Sequence, residues 1–394
     1  MSLLQYIKGE SSRTLKLLGL PIYQIKGTYR SSERIQTFLG GLVSTFRVND
    51  NLFNKVEKAI KICGLPLFNR IEEGQYVRWY FCGVLLKTID LKKQFIQKYE
   101  NVFGKEHDIV FILSSNSGEA YIFLSHVFDA YVRKNNFKRP LIVATKKYHE
   151  DMIKAICPDV EYIRIKALKH QFKDDVLING KQTYFMTFAH QHFLQVLKDG
   201  KTLPIEHSHY YTSILKRCGI NENEISRRKI TVSDSVYQSM LKKVGEIGLD
   251  LNKFVFIAPE ALSAIALPNK FWVDLINEFK NSGYDAFVNL MGNEVDLTGC
   301  EYKSCFLTYP EVFALCCKAK KIISLRSGLT EFLLQTNVPS DVLYTKFHDK
   351  ELTVESGYKT FSLRKLPFAE RSNVIEYYVN NENMDAVKAQ ILGA

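Results

Sequence analysis

The sequence predicts an α/β protein built from two doubly wound, parallel-sheet domains in series behind a small basic module. Three observations carry that reading. From Asp108 onward, short apolar runs alternate with amphipathic segments, the pattern of parallel strands covered by helices on both faces. The alternation restarts after a polar stretch, Asn221 to Arg228. Residues 1–107 lack it and are punctuated by Gly and Pro. The predicted domains are therefore 1–107, 108–220 and 221–394.

In the first module one pattern recurs: Leu17-Leu18-Gly19-Leu20-Pro21-Ile22-Tyr23, then Ile62-Cys63-Gly64-Leu65-Pro66-Leu67-Phe68, then a degenerate Phe81-Cys82-Gly83-Val84-Leu85-Leu86. Gly and Pro interrupt the backbone there, so short strands and turns are expected. Asn51 to Lys61 carries helical spacing through Leu52, Val56 and Ile60. In the second domain, Asp108 to Leu113 reads as a buried strand, Ser114 to Gly118 as a turn and Glu119 to Lys134 as a helix. Pro140 to Ala144 is a strand, His149 to Ile156 a helix and Val160 to Ile165 a strand. In the third, Phe254 to Ala258, Ala286 to Leu290 and Lys321 to Ser324 read as strands. Phe271 to Asn281, Pro310 to Ala319, Gly328 to Gln335 and Asn383 to Ile391 read as helices.

Composition narrows the classes. The 394 residues are 46% hydrophobic and 24% charged, with only 21 Gly and 10 Pro, which excludes a disordered or collagen-like chain. No apolar run is long enough for a transmembrane helix, and the first ten residues do not resemble a signal peptide. The eight scattered cysteines show no CxxC spacing and read as reduced core thiols of a cytoplasmic protein. Net charge is +11, and residues 1–107 hold 17 Lys/Arg against 9 Asp/Glu. That excess fits a solvated basic surface or an anionic membrane face. Nucleic acid is not expected, because no aromatic stacking pattern interleaves with the basic residues.

Four constellations fall at predicted strand ends, where ligands of doubly wound sheets bind. In Ser117-Gly118-Glu119 the glycine permits a tight turn, and Glu119 sits in a first helical turn, where the dipole keeps a carboxylate ionised. It is either a general base or a capping acid. Pro259-Glu260 precedes Lys270-Phe271-Trp272, a lysine at a helix start suited to a phosphate beside a tryptophan suited to packing. Gly292-Asn293-Glu294 follows a strand, where a carboxylate can accept from ribose. Arg326-Ser327-Gly328-Leu329 joins a strand to a helix, so its amides form an anion nest beside a guanidinium fork. His190, His192, His207 and His209 form two pairs without a completing cysteine or spaced carboxylate. They read as weak acceptor-binding residues, and no metal is expected.

Taken in order, these motifs resemble the heptosyltransferase-like glycosyltransferases of the GT-B fold over roughly residues 108–394. Ser117-Gly118-Glu119 looks like that family's Ser-x-Gly-Asp base motif, with Glu for Asp. Pro259 with Lys270-Phe271-Trp272 is similar to its Lys-x-Trp segment, and Gly292 to Asp296 to its nucleoside loop. Arg326 to Glu331 stands where the family has Asp-[Ser/Thr]-Gly-x-x-His, with Arg for Asp and Glu for His. The resemblance implies two facing Rossmann-like domains and an inverting, metal-independent transfer from a nucleotide-diphospho-sugar to a lipopolysaccharide or capsule acceptor. It implies Glu119 as base, and Lys270, Arg326 and the Ser327 and Gly328 amides around the leaving diphosphate. The basic module would rest on the inner face of the plasma membrane. Two rivals stay open: a transferase with a pyruvyl or sialic-acid-type donor, and a non-catalytic nucleotide- or glycan-binding scaffold.

Overall fold

The protein was analysed as a computed structural model. It describes residues 4–8, 12–17, 20–26, 33–39, 42–50, 55–73, 76–91, 93–94, 97, 107–113, 116–165, 176–178, 181–185, 209–292, 295–347, 354–366 and 373–393. The chain divides into two compact units, residues 1–106 with 169–183, and residues 107–168 with 184–394.

The first unit contains an antiparallel meander whose strands pair in sequence order. They are β1 (Leu4–Lys8), β2 (Ser12–Leu17), β3 (Leu20–Lys26), β4 (Glu33–Phe38), β5 (Val43–Asp50), β6 (Lys55–Ile62), β7 (Leu65–Glu73), β8 (Tyr76–Phe81) and β9 (Val84–Asp90). The recurring Gly pattern marks its hairpins. Cys63 and Gly64 (φ 51° and 82°) and Cys82 and Gly83 (φ 46° and 82°) both take the left-handed conformation. That pairing is what a two-residue turn matching the twist of the flanking strands requires. Leu18 and Gly19 of the first copy lie outside the described residues. The helical spacing is overturned from residue 55 on, because Lys55–Ile62 is β6, paired on both sides; residues 51–54 lie outside the described residues. Val56, Ile60 and Ile62 also fit a two-residue period, and pairing with both neighbours decides the conformation.

In the second unit, β10 (Ile109–Leu113), β11 (Pro140–Ala144) and β12 (Tyr162–Arg164) are parallel, in the order β12-β11-β10. Helix α1 (Ser117–Ile122) runs through a π turn (Phe123–Val127) into α2 (Phe128–Lys134), and α3 (Lys147–Ile156) follows β11. β13 (Val176–Ile178), which falls in the first unit, pairs antiparallel with β14 (Lys181–Phe185), which begins there. After α4 (Tyr210–Cys218) and α5 (Asp234–Glu246) comes a second parallel sheet. Its strands are β15 (Phe254–Ala258), β16 (Asp285–Val288), β17 (Ile322–Leu325), β18 (Ser340–Tyr344) and β19 (Val374–Tyr378), in the order β16-β15-β17-β18-β19. Helices α6 (Asn269–Asn281), α7 (Tyr309–Cys316), α8 (Gly328–Leu333), α9 (Val354–Phe361) and α10 (Met384–Gly393) flank it. β10 and β15 are buried along their whole length, as strands covered on both faces must be. The α/β, doubly wound class read from the sequence is the one observed.

The polar stretch at 221–228 does not act as a free connector. Arg228 pairs with Asp129 and Asp159, and its amide donates to Ser125 O at 2.8 Å. One apolar core also runs through both halves, from Phe111 and Tyr121 to Phe313 and Phe332. A second core covers the other face of the β15 sheet, with Trp272 fully buried in it. The expectation of core thiols holds for Cys157 and Cys316. It is corrected for Cys63, Cys82 and Cys317, which are exposed, two of them because hairpin tips project outward.

Candidate active site

The two Ser-Gly turns meet. Ser117 and Gly118 open α1 at the C-terminal end of β10, and Ser327 and Gly328 open α8 at the C-terminal end of β17. A Cβ at Gly328 would overlap Ser117 Oγ and the Gly118 amide, and one at Gly118 would overlap the Glu331 carboxylate. Glycine at 328 lets the two helix starts touch, and glycine at 118 leaves room for the Glu331 carboxylate. The sequence read Gly118 as a tight turn and the Gly328 amide as part of an anion nest; the structure adds the close approach of the two turns.

Glu119 forms a capping box, with Oε2 accepting from the Asn116 amide at 2.9 Å. It is partly exposed, so the capping reading of this acid is realised without closing the side chain off. Around it stand residues the sequence reading missed. Lys146 and Tyr148 follow β11, and Tyr309 opens α7. Lys146 Nζ donates to Tyr148 Oη at 2.7 Å, the rings of Tyr148 and Tyr309 lie 5.8 Å apart, and Ser117 hydrogen-bonds the Tyr309 phenol. Crowding lowers the Lys146 pKa, with the Glu119 charge opposing. Burial pushes Tyr309 up to about 12 and also raises Tyr148. Both phenols are therefore neutral donors near pH 7. One available signal was Lys146-Lys147-Tyr148 directly after a predicted strand, the same strand-end logic that selected Ser117.

Arg326 is placed differently from the expected outward fork. It is 6% exposed. Nε donates to Phe361 O at 3.0 Å and one amino group to Ser327 O at 2.9 Å, while the other pairs with Glu331. Glu331 is 1% exposed and also accepts from Tyr210 Oη. Burial pushes its carboxyl upward, and Arg326 and Tyr210 pull it back. A guanidinium so desolvated stays with its carboxylate, because separating the two would strand a buried charge. Arg326 thus fixes the turn it belongs to. Thr330 completes the turn, its Oγ1 accepting from the Ser327 amide at 3.2 Å. Leu329 is partly buried in α8.

On the second sheet, Glu260 is buried beside Pro259 at the end of β15. Its Oε2 accepts from the amides of Met291 and, at 3.1 Å, Gly292. It holds the loop after β16 in place, a role the spacing did not disclose. Leu262, Ile265 and Met291 stand exposed near that rim. Lys270 is 83% exposed and bound to Asp274 at 3.0 Å, an i,i+4 pair that Lys388 of α10 joins at 2.8 Å. Lys270 thus stands at the helix start with its ammonium against Asp274, and Trp272 packs the helix on the sheet as expected.

His209 is corrected from an acceptor-facing loop residue. It is 2% exposed, Nε2 lies 2.9 Å from Ser362 O, and burial lowers its pKa to about 4. Its neighbours Tyr210 and Tyr211 begin a helix that packs inward, carrying the ring with it. His190, His192, His207 and Glu294 lie outside the described residues. Among the described residues, no group of three His, Cys, Asp or Glu side chains is arranged to hold a metal ion. None of the described helices is long and apolar enough to cross a membrane.

No family model matches the chain, and no curated protein matches it. Solved structures do. The glycosyl transferase family 9 protein from Veillonella parvula DSM 2008 is 12% identical, with TM-score 0.44, over 73% of this chain and 96% of that one. The E. coli ADP-heptose lps heptosyltransferase II is 12% identical, with TM-score 0.44, over 72% and 99%. The iron-containing dodecameric glycosyltransferase TibC from enterotoxigenic E. coli H10407 is 14% identical, with TM-score 0.40, over 72% and 67%.

Proposed function

We propose that the chain is an inverting glycosyltransferase that moves a sugar from a nucleotide-diphospho-sugar to a bacterial envelope glycan such as a lipopolysaccharide or capsule. The observation that carries the reading is the meeting of two Ser-Gly helix starts at parallel-strand ends, with the carboxylate of Glu119 beside them. Glu119 takes the proton of an acceptor hydroxyl, whose oxygen attacks the anomeric carbon. The bond to the diphosphate breaks, and its electron pair leaves with the nucleoside diphosphate. Lys270 and the amides of Gly328 and Leu329 serve that leaving group, the Ser327 amide being held by Thr330 Oγ1, and Lys146 adds a cation on the Glu119 side. Pro259, Glu260 and Gly292 shape the nucleoside rim, with Glu294 following. Arg326 is a positioning residue, acting through the Ser327 turn. Supplying this charge from fixed groups leaves no step that requires a metal. Residues 1–107 hold the enzyme on an anionic membrane surface, where such acceptors lie.

The test is Glu119→Gln, which keeps a cap acceptor but removes the base. Transfer should fall by a hundredfold or more, as for loss of a general base, while donor affinity measured by calorimetry stays within about twofold. A loss of tenfold or less removes Glu119 from the role.

The buried Arg326–Glu331 pair favours one second reading, a scaffold that binds nucleotide without turnover. Selective nucleotide binding with neither hydrolysis nor transfer, across heptosyl, hexosyl, pyruvyl and sialic-acid-type donors, would establish that instead.

A further inference from the structure

We propose that the β-meander of residues 4–90 docks by inserting its apolar hairpin tips among the acyl chains of an anionic phospholipid bilayer, while a ladder of cations above them holds the phosphate headgroups. This rests on the reading that residues 1–107 meet an anionic membrane surface, and it adds how the sheet does so.

The register places residues in rows that cross the strands. Arg34 lies opposite Arg47, Arg47 opposite Lys58, Lys58 opposite Arg70, Arg70 opposite Trp79 and Trp79 opposite Lys87. Directly opposed side chains of an antiparallel pair share one face, so this is a single line of cations with one aromatic across six strands. Like charges so placed repel, and the cost is relieved by an anion on that face. Glu72, on the same face, pairs with Lys58 and Arg70. Arg34, Arg47, Lys58 and Arg70 line an open concavity of about 350 Å³ together with Phe68 and Trp79.

Two residues nearer the Cys63 and Cys82 turns (three in β9, across a bulge), the next row reads Gln36, Thr45, Ile60, Phe68, Phe81 and Val84. The row beyond it holds Phe38, Val43, Ile62 and Leu65. Large apolar side chains stand exposed in both rows and at the turns: Phe68 is 42% exposed, Val84 65%, Leu39 66% and Leu65 74%. Apolar tips, then aromatics, then cations is the order of acyl chains, interface and anionic headgroups along a membrane normal. A single face that grades this way matches a bilayer by charge and by depth. A second copy would set one cationic ladder against another.

Trp79 supplies the readout without any substitution. The chain has two tryptophans, and Trp272 is fully buried, so a vesicle-dependent change in emission belongs to Trp79. Phosphatidylcholine vesicles with about 30% phosphatidylglycerol should bind the full chain at low salt and still retain a fraction at about 0.5 M salt, where surface attraction is screened. Trp79 emission should shift to the blue and be quenched by acyl-brominated lipid. Leu65→Asp with Val84→Asp should abolish the salt-resistant fraction and keep the low-salt one. Arg47→Glu with Lys58→Glu should reduce capture at low salt by tenfold or more. Capture that salt removes entirely, with Trp79 unquenched, overturns insertion and leaves the anionic-surface reading standing. No capture at low salt overturns both. Shielding of Trp79 from acrylamide that depends on protein concentration, without vesicles, also overturns it by making a second copy the occupant.

Discussion

Arg326 and Glu331 form a desolvated pair whose worth lies in being intact. Leaving either partner alone in a site this buried costs about 3–5 kcal/mol, whereas replacing both by neutral groups of similar size costs far less. Arg326→Met should therefore destabilise the protein by several kcal/mol in urea denaturation, and Arg326→Met with Glu331→Gln should recover most of that loss. An additive double variant would show that the two act separately. Gly118→Ala and Gly328→Ala test the contact between the turns. Each methyl meets atoms of the opposing turn, and overpacking of this kind costs about 1–3 kcal/mol. Thermal denaturation of each variant should register it.

Among the elements, the π turn after α1 holds a histidine kept neutral by burial, and so does the position just before α4. His126 falls to about 3 and His209 to about 4, against an ordinary 6.5. The unfolded chain takes up a proton at each as pH falls through 6.5, while the folded chain does not until near pH 4 or 3. Stability is therefore full above about pH 6.5 and declines below it, by about 1.4 kcal/mol per pH unit for each histidine. His209→Gln, which retains a donor for Ser362 O, should lose about 2 kcal/mol less than the parent between pH 7 and pH 5 in chemical denaturation. A parallel pH profile would contradict burial as the cause.

For the whole molecule, donor binding is the property that joins fold to function. A nucleotide that binds the native state at a hundred times its Kd should stabilise it by about 2.7 kcal/mol, visible as a thermal shift. A selective shift with one nucleoside diphosphate is the expected outcome, and its absence across a panel of nucleotides and nucleotide-sugars would move the reading away from a donor site.

Much of the second unit was legible in the sequence, because its strands are buried on both faces. Phe254 to Ala258 and Pro140 to Ala144 have no polar face to blur, so the apolar run and the strand coincide. The first unit was legible only in its turns. Cys63-Gly64 and Cys82-Gly83 announce a positive φ, but the strands between them carry mixed faces, and Lys55–Ile62 reads as helix until its neighbours pair with it. The sequence by itself determined the α/β class, the strand-end turns and the excess of positive charge, because these depend on local period, backbone freedom and composition. Only the tertiary structure decided that Gly118 and Gly328 face each other, that Arg326 turns inward to Glu331, that Lys146, Tyr148 and Tyr309 gather around Glu119, and that the cations of the sheet align. Those are contacts between residues far apart in the chain, and register and packing fix them where no local propensity can.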